Sequence, residues 1–172
     1  MKIRGALALS ALAVTASLAL ASALAETKTL VRSGPWEAFD GTTSKGNPIC
    51  GMSTEVDTNY FGIKRIGSDG TITIQLGTGR WKLTDGQKMG LNMIFDANPV
   101  WRATGTGMHF DDGDPGLEFI INQTETENFM REFRQSAWLV VKFPDGNFAD
   151  WKLSLSGSST VNDAFVRCAR RL

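Results

Sequence analysis

Between residues 60 and 122, apolar side chains recur at every second position in short runs separated by turn residues. Successive side chains of a strand point to opposite faces, so each run can bury one face and wet the other. No other feature restricts the chain as much. Thr71-Ile72-Thr73-Ile74-Gln75-Leu76 alternates cleanly behind the turn signal Ser68-Asp69-Gly70. Gly77-Thr78-Gly79 leads to Trp81 and Leu83. Thr84-Asp85-Gly86 leads to Met89, Leu91, Met93 and Phe95, which share one strand face, and Leu117, Phe119 and Ile121 repeat the pattern. The expectation is an antiparallel meander with one buried side and one solvated side.

The rhythm changes at residues 124–135. Thr124-Glu125-Thr126-Glu127 matches a capping box, and Phe129, Met130 and Phe133 fall on one helical face. Ala137 to Phe143 is an apolar run broken only by Lys142, as a central strand would be, and Pro144-Asp145-Gly146 turns it toward Trp151, Leu153 and Leu155. A second helix closes the chain. Thr160 with Asp163 is placed to cap it, and Val161, Phe165, Cys168 and Leu172 form its apolar stripe. Eight or nine strands and two short helices predict a mostly-β fold. Its form would be an antiparallel β-sandwich or half-barrel, with helices covering an edge or open end and the last one C-terminal.

The start of the chain reads as an export signal. Lys2 and Arg4 precede the uncharged run Gly5–Leu24, and Ala23-Leu24-Ala25 fits the small-x-small cleavage rule. About 20 apolar residues can also span a bilayer as an uncleaved anchor. The Ala-rich core and the cleavage site favour removal, with no Cys at the junction to carry a lipid. Residues 1–25 are therefore expected to be a signal peptide, and 26–172 a single β-rich exported domain. Its bacterial style points to the periplasm or secretion, with no membrane span after cleavage. Lys2 and Arg4 are two of 18 basic residues, so the remainder carries 16 bases against 18 acids, a charge of about −2. That balance lacks the basic footprint of a nucleic-acid binder or a polybasic membrane segment.

Cys50 and Cys168 are the only cysteines. In an oxidising compartment an even count favours one disulfide, joining the start of the domain to its last helix. Redox or metal-binding thiols are the alternative. There is no C-x-x-C, and a single His is available as a further soft ligand.

Catalytic signatures are missing. The sequence contains no G-x-S-x-G elbow, P-loop, G-x-G-x-x-G or H-E-x-x-H. His109 is the only imidazole, so a hydrolase triad would have to use it, with Asp111 or Asp112 as the orienting acid. The segment His109-Phe110-Asp111-Asp112-Gly113-Asp114-Pro115-Gly116, followed by Glu118, is the sharpest local feature. Asp111, Asp112, Asp114 and Glu118 on a bent loop could gather six to eight oxygens around Ca²⁺, although the spacing is not that of an EF-hand. The same residues suit a solvated turn. No other cofactor is expected, and no spacing sets up the paired carboxylates of a glycosidase.

Five tryptophans are many for 172 residues. Trp81, Trp138 and Trp151 fall in apolar strand patterns and read as core. Trp36 and Trp101 follow or nearly follow Pro in less regular segments and, with His109, are the candidates for a binding surface. Exposed Trp would also suit a carbohydrate-binding module.

Trp81-Lys82-Leu83-Thr84-Asp85-Gly86-Gln87, Phe143-Pro144-Asp145-Gly146 and the ending Leu153-Ser154-Leu155-Ser156-Gly157-Ser158-Ser159 before a Cys168 helix add a layout-level signal. Together with the exported start, early Trp and Cys50, this layout resembles the invasion-associated locus B family of alphaproteobacterial envelope proteins. The resemblance implies a periplasmic or surface β-rich domain linked to host-cell invasion or envelope adaptation. It transfers no catalytic residues. The expected function is non-enzymatic binding of a protein or cell-envelope component.

Overall fold

The computed structural model describes residues 26–96, 98–145 and 148–172, so the expected signal at 1–25 and the turn residue Gly146 lie outside the described residues. The elements run β1 (Glu26–Ser33), β2 (Trp36–Thr42), β3 (Pro48–Val56), β4 (Asn59–Ile66), β5 (Ile72–Gly77), β6 (Lys88–Phe95), β7 (Trp101–His109), β8 (Pro115–Ile121), α1 (Gln123–Gln135), β9 (Trp138–Lys142), β10 (Trp151–Ser154) and α2 (Ser158–Ala169). All ten strands join one antiparallel sheet in the order β1-β2-β3-β4-β5-β8-β7-β6-β9-β10.

The sheet curls into a barrel-like shell. Neighbouring strands lie about 4.8 Å apart, so β2 and β10, eight positions apart, would stand roughly 38 Å apart in a flat sheet. Yet the Trp36 indole N–H donates to the Ser154 carbonyl at 2.9 Å. Of the two expected forms, the half-barrel is therefore the one observed. The two helices fill its concave side. Phe129 and Phe133 of α1 are fully buried, Phe133 meeting Trp36 edge-on at 5.1 Å and Phe129 meeting Phe95 at 5.2 Å. The second helix packs on β1, β2 and β3 and is bonded to β3 by a Cys50–Cys168 disulfide.

Several local expectations are corrected. The strands of residues 60–122 are not a simple meander, because β5 pairs with β8 and the chain crosses through residues 78–87 before β6. Trp81 and Leu83 are buried at that crossover but belong to no strand. Trp81 instead stacks on Trp151 at 5.0 Å and on Phe148 at 4.8 Å, closing one end of the core. Trp138 is not core: it is 43% exposed on β9, with the Lys152 ammonium 4.3 Å over its ring. β9 itself is paired on both sides, with β6 and β10, as its apolar run predicts.

Helix α1 starts two residues earlier than the Thr124 box predicts. Asn122 is its cap, accepting the Glu125 N–H at 3.1 Å while its amide donates to Glu125 Oε2 at 2.9 Å. Helix α2 begins at Ser158 behind Gly157, which has φ +88° and makes no side-chain cap, so Thr160 and Asp163 lie inside the helix.

Candidate functional site

The outer face of the shell carries glycines where neighbouring strands meet, and aromatic rings lie over them. In register, Tyr60 of β4 faces Gly77 of β5, and Gly77 faces Gly116 of β8. A Cβ on Gly77 would overlap the Phe110 ring, and one on Gly116 would lie 2.6 Å from that ring's Cε2. Phe110 thus lies on a floor of bare backbone. Tyr60 covers Gly62 in the same way, and the two rings meet edge-to-face at 5.4 Å. Phe39 repeats the device over Gly51 on β3. Such rings restore the contacts a glycine forfeits in a sheet.

Between these rings and the β3–β4 hairpin lies a cleft of about 430 Å³. Thr58, Tyr60, Thr78 and Phe110 wall it, and Glu55, Asp111, Asp112 and Asp114 stand on its rim. Its hairpin wall is conformationally strained. Asp57 and Thr58 both take positive φ, 53° and 68°, as a type I′ turn requires and as a β-branched residue resists. Arg80 holds the turn from outside, donating to the Asp57 carbonyl and to Asn59 Oδ1, each at 3.0 Å. The opposite wall is a closed loop in which Phe110 N–H donates to the Asp114 carbonyl and Gly113 N–H to the Phe110 carbonyl, both at 2.9 Å.

Burial sets the charge states beneath the cleft. It pushes the Tyr60 phenol up to about 12, opposed by a hydrogen bond with Ser53 and assisted by the Glu37 charge. Burial likewise lowers the Lys64 ammonium, while the charges of Asp111 and Glu118 pull it back. A neutral phenol and a carboxylate rim suit noncovalent recognition of a polar or cationic group against aromatic surface.

The candidate residues from the sequence are dispersed. Trp36 is corrected outright: it is 1% exposed, because its strand turns it inward onto Phe61 and Phe133. Trp101 is half-buried, edge-on to Phe129, with its N–H donating to Glu132 Oε2 at 2.7 Å. His109 lies outside the cleft lining, and Asp85 takes the role expected of Asp111 or Asp112, with Oδ1 2.7 Å from His109 Nδ1. The reason is the crossover, whose residues 84–87 run beside β7. Asp111, Asp112 and Asp114 do meet at the cleft, but Glu118 pairs with Gln75 Nε2 at 3.2 Å. Asp112 Oδ1 accepts the Asp114 N–H at 3.0 Å. Among the described residues no three acidic, His or Cys side chains form a metal-ligand group. Glu55, Thr58, Tyr60 and Thr78 escaped the sequence reading, whereas Phe110 lies within the 109–118 segment singled out there. The Tyr60-Phe61-Gly62 spacing, an aromatic two residues from a glycine on one strand face, was the signal that could have found Tyr60.

Among the described residues no helix is long and apolar enough to cross a membrane. No protein-family model matches the chain, and no curated protein matches its sequence. Its fold is similar to the crystal structure of invasion associated protein B from Bartonella henselae, with a TM-score of 0.57 over 86% of this chain and 99% of that one. The two share 14% sequence identity, so the likeness is one of fold, and the resemblance read from the sequence holds at that level.

Proposed function

We propose that this chain is an exported envelope domain that binds a protein or cell-envelope component without transforming it, and that the Tyr60–Phe110 cleft is the contact site. The observation that carries the reading is the cleft itself. Two half-buried rings seated on glycine backbone present apolar surface to it, beside four carboxylates. The disulfide suits an oxidising compartment. The structural neighbour is named for invasion, and a role for this chain in invasion or envelope adaptation is part of the proposal rather than of the likeness.

The test is chemical cross-linking in envelope extract, comparing the wild type with Tyr60→Ala and Phe110→Ala proteins that retain the native circular dichroism. Cross-linked partners or glycans that disappear with either ring support the cleft. Identical cross-link patterns in all three proteins would remove it. Fractionation of the producing cells checks the compartment, and recovery of the protein solely from the cytoplasm would refute the envelope reading.

A further inference from the structure

A second groove runs between the two helices on the other side of the shell. Its volume is about 610 Å³, and Met130, Arg131, Arg134, Gln135, Asn162 and Val166 line it, with Glu127 at one end. Met130 and Val166 form an apolar floor continuous with the core. Asn162 is 5% exposed, and among the described residues nothing donates a hydrogen bond to its buried Oδ1. An amide oxygen left so is costly, and buried polar groups in native proteins nearly always find a partner. The two arginines are exposed. Arg131 is bonded to Asn128 within its own helix, and Arg134 reaches Asp163 of α2 at only 3.9 Å. Among the described residues, both guanidiniums thus keep most of their five donors free for another group.

From this groove we infer a second binding site, one that takes an extended acidic segment of a partner protein. Three features fit that occupant together. Arg131 and Arg134 are three residues apart on one helix face, about 5–6 Å between Cβ atoms. Alternate side chains of an extended peptide repeat at roughly 6.6 Å, so two carboxylates in a D-x-E pattern match the two arginines. The Met130–Val166 floor accepts an aliphatic side chain of the same segment. A peptide N–H supplies the donor that Asn162 Oδ1 lacks, which a lipid headgroup phosphate, being an acceptor, does not. The site is separate from the Tyr60–Phe110 cleft and stands without it.

The experiment measures fluorescence anisotropy of labelled ten-residue peptides with the purified, oxidised protein. The probes carry a central Asp-Leu-Glu-Leu-Asp, its Asn/Gln counterpart, and a version N-methylated at the amides of both leucines and the Glu. The acidic peptide should bind at least tenfold tighter than the amide version, and Arg131→Glu with Arg134→Glu should abolish that preference. Asn162 is buried, so Asn162→Ala is paired with the methylated probe. Methylation should weaken binding to the wild type at least tenfold and leave binding to Asn162→Ala unchanged. Equal binding of all three peptides, or a preference that survives the arginine reversals, overturns the proposal. So does a methylation penalty of equal size in both proteins. Phosphatidylglycerol vesicles form the control arm: arginine-dependent binding to vesicles without any peptide preference would assign the groove to a lipid surface instead.

Discussion

The indole nitrogen of Trp36 on β2 donates to the carbonyl of Ser154 on β10, 2.9 Å away, joining strands that stand eight positions apart in one sheet. This bond spans the seam where the curled sheet comes back on itself, and the ring behind it packs on Phe61 and Phe133. Trp36→Phe keeps most of the packing and removes the donor, leaving the Ser154 carbonyl short of a partner at a part-buried position. The expected loss is about 1–3 kcal/mol. Trp36→Ala adds a cavity and should cost roughly 3–5 kcal/mol. Urea unfolding monitored by circular dichroism gives both values. A Trp36→Phe protein within a few tenths of the wild type would show that the seam does not depend on this bond.

Gly157 stands at the same seam. Its φ of +88° is left-handed, and a Cβ there would overlap the carbonyl of Ser33 at the end of β1. Gly46 has a similar φ of +81° but open space around it. Gly157→Ala should therefore cost more than the ~1 kcal/mol of a bare left-handed alanine, while Gly46→Ala should cost about that much. Parallel thermal melts of the two variants decide it, and equal shifts would refute the close approach at the seam.

Strand existence was legible in the sequence wherever one face is buried and the other wet, as in Ile72, Ile74 and Leu76 or Met89, Leu91, Met93 and Phe95, all of which point into the core. Strand order was not. Alternation fixes which face a residue takes but not which neighbour it pairs with, so the β5–β8 pairing and the crossover through Trp81 went unread. Trp36 and Trp138 were exchanged for a related reason. An irregular local pattern hid an inward-facing residue on β2, and an apolar run hid an outward-facing one on β9. At the site, the acidic loop was visible because its residues are contiguous. Its partners Glu55, Thr58 and Tyr60 come from a hairpin about 50 residues earlier, and only the curled sheet sets them beside Phe110.

The disulfide ties β3 to α2 across 118 residues of sequence. In the chain-entropy model, closing a loop of that length restricts the unfolded chain by about 4–5 kcal/mol. The Cys50→Ala, Cys168→Ala double variant should lose stability of that order. Because Cys50 and Cys168 are both buried, lost packing will add to the effect. Reduction of the wild type separates the two contributions, since it breaks the bond and keeps the sulfurs. Unfolding free energies that coincide for oxidised and reduced protein would show that the staple contributes nothing measurable.

Tyr60 is the only tyrosine in the chain, so phenolate absorbance reports a single group under the cleft. Burial raises its pKa from 10.0 to about 12 in the folded protein. The folded state holds this proton to higher pH than the unfolded chain, so the contribution to stability is complete below pH 10 and is lost between about 10 and about 12. Lys64, whose folded ammonium is lowered, contributes in the opposite sense over its own range, so the wild type must be compared with Tyr60→Phe. The difference in unfolding free energy between the two should shrink across that window, and the absorbance of the folded wild type should rise near pH 12. A midpoint near 10 in protein that is still folded would mean that the ring stands in water, and the cleft described around it would lose one of its walls.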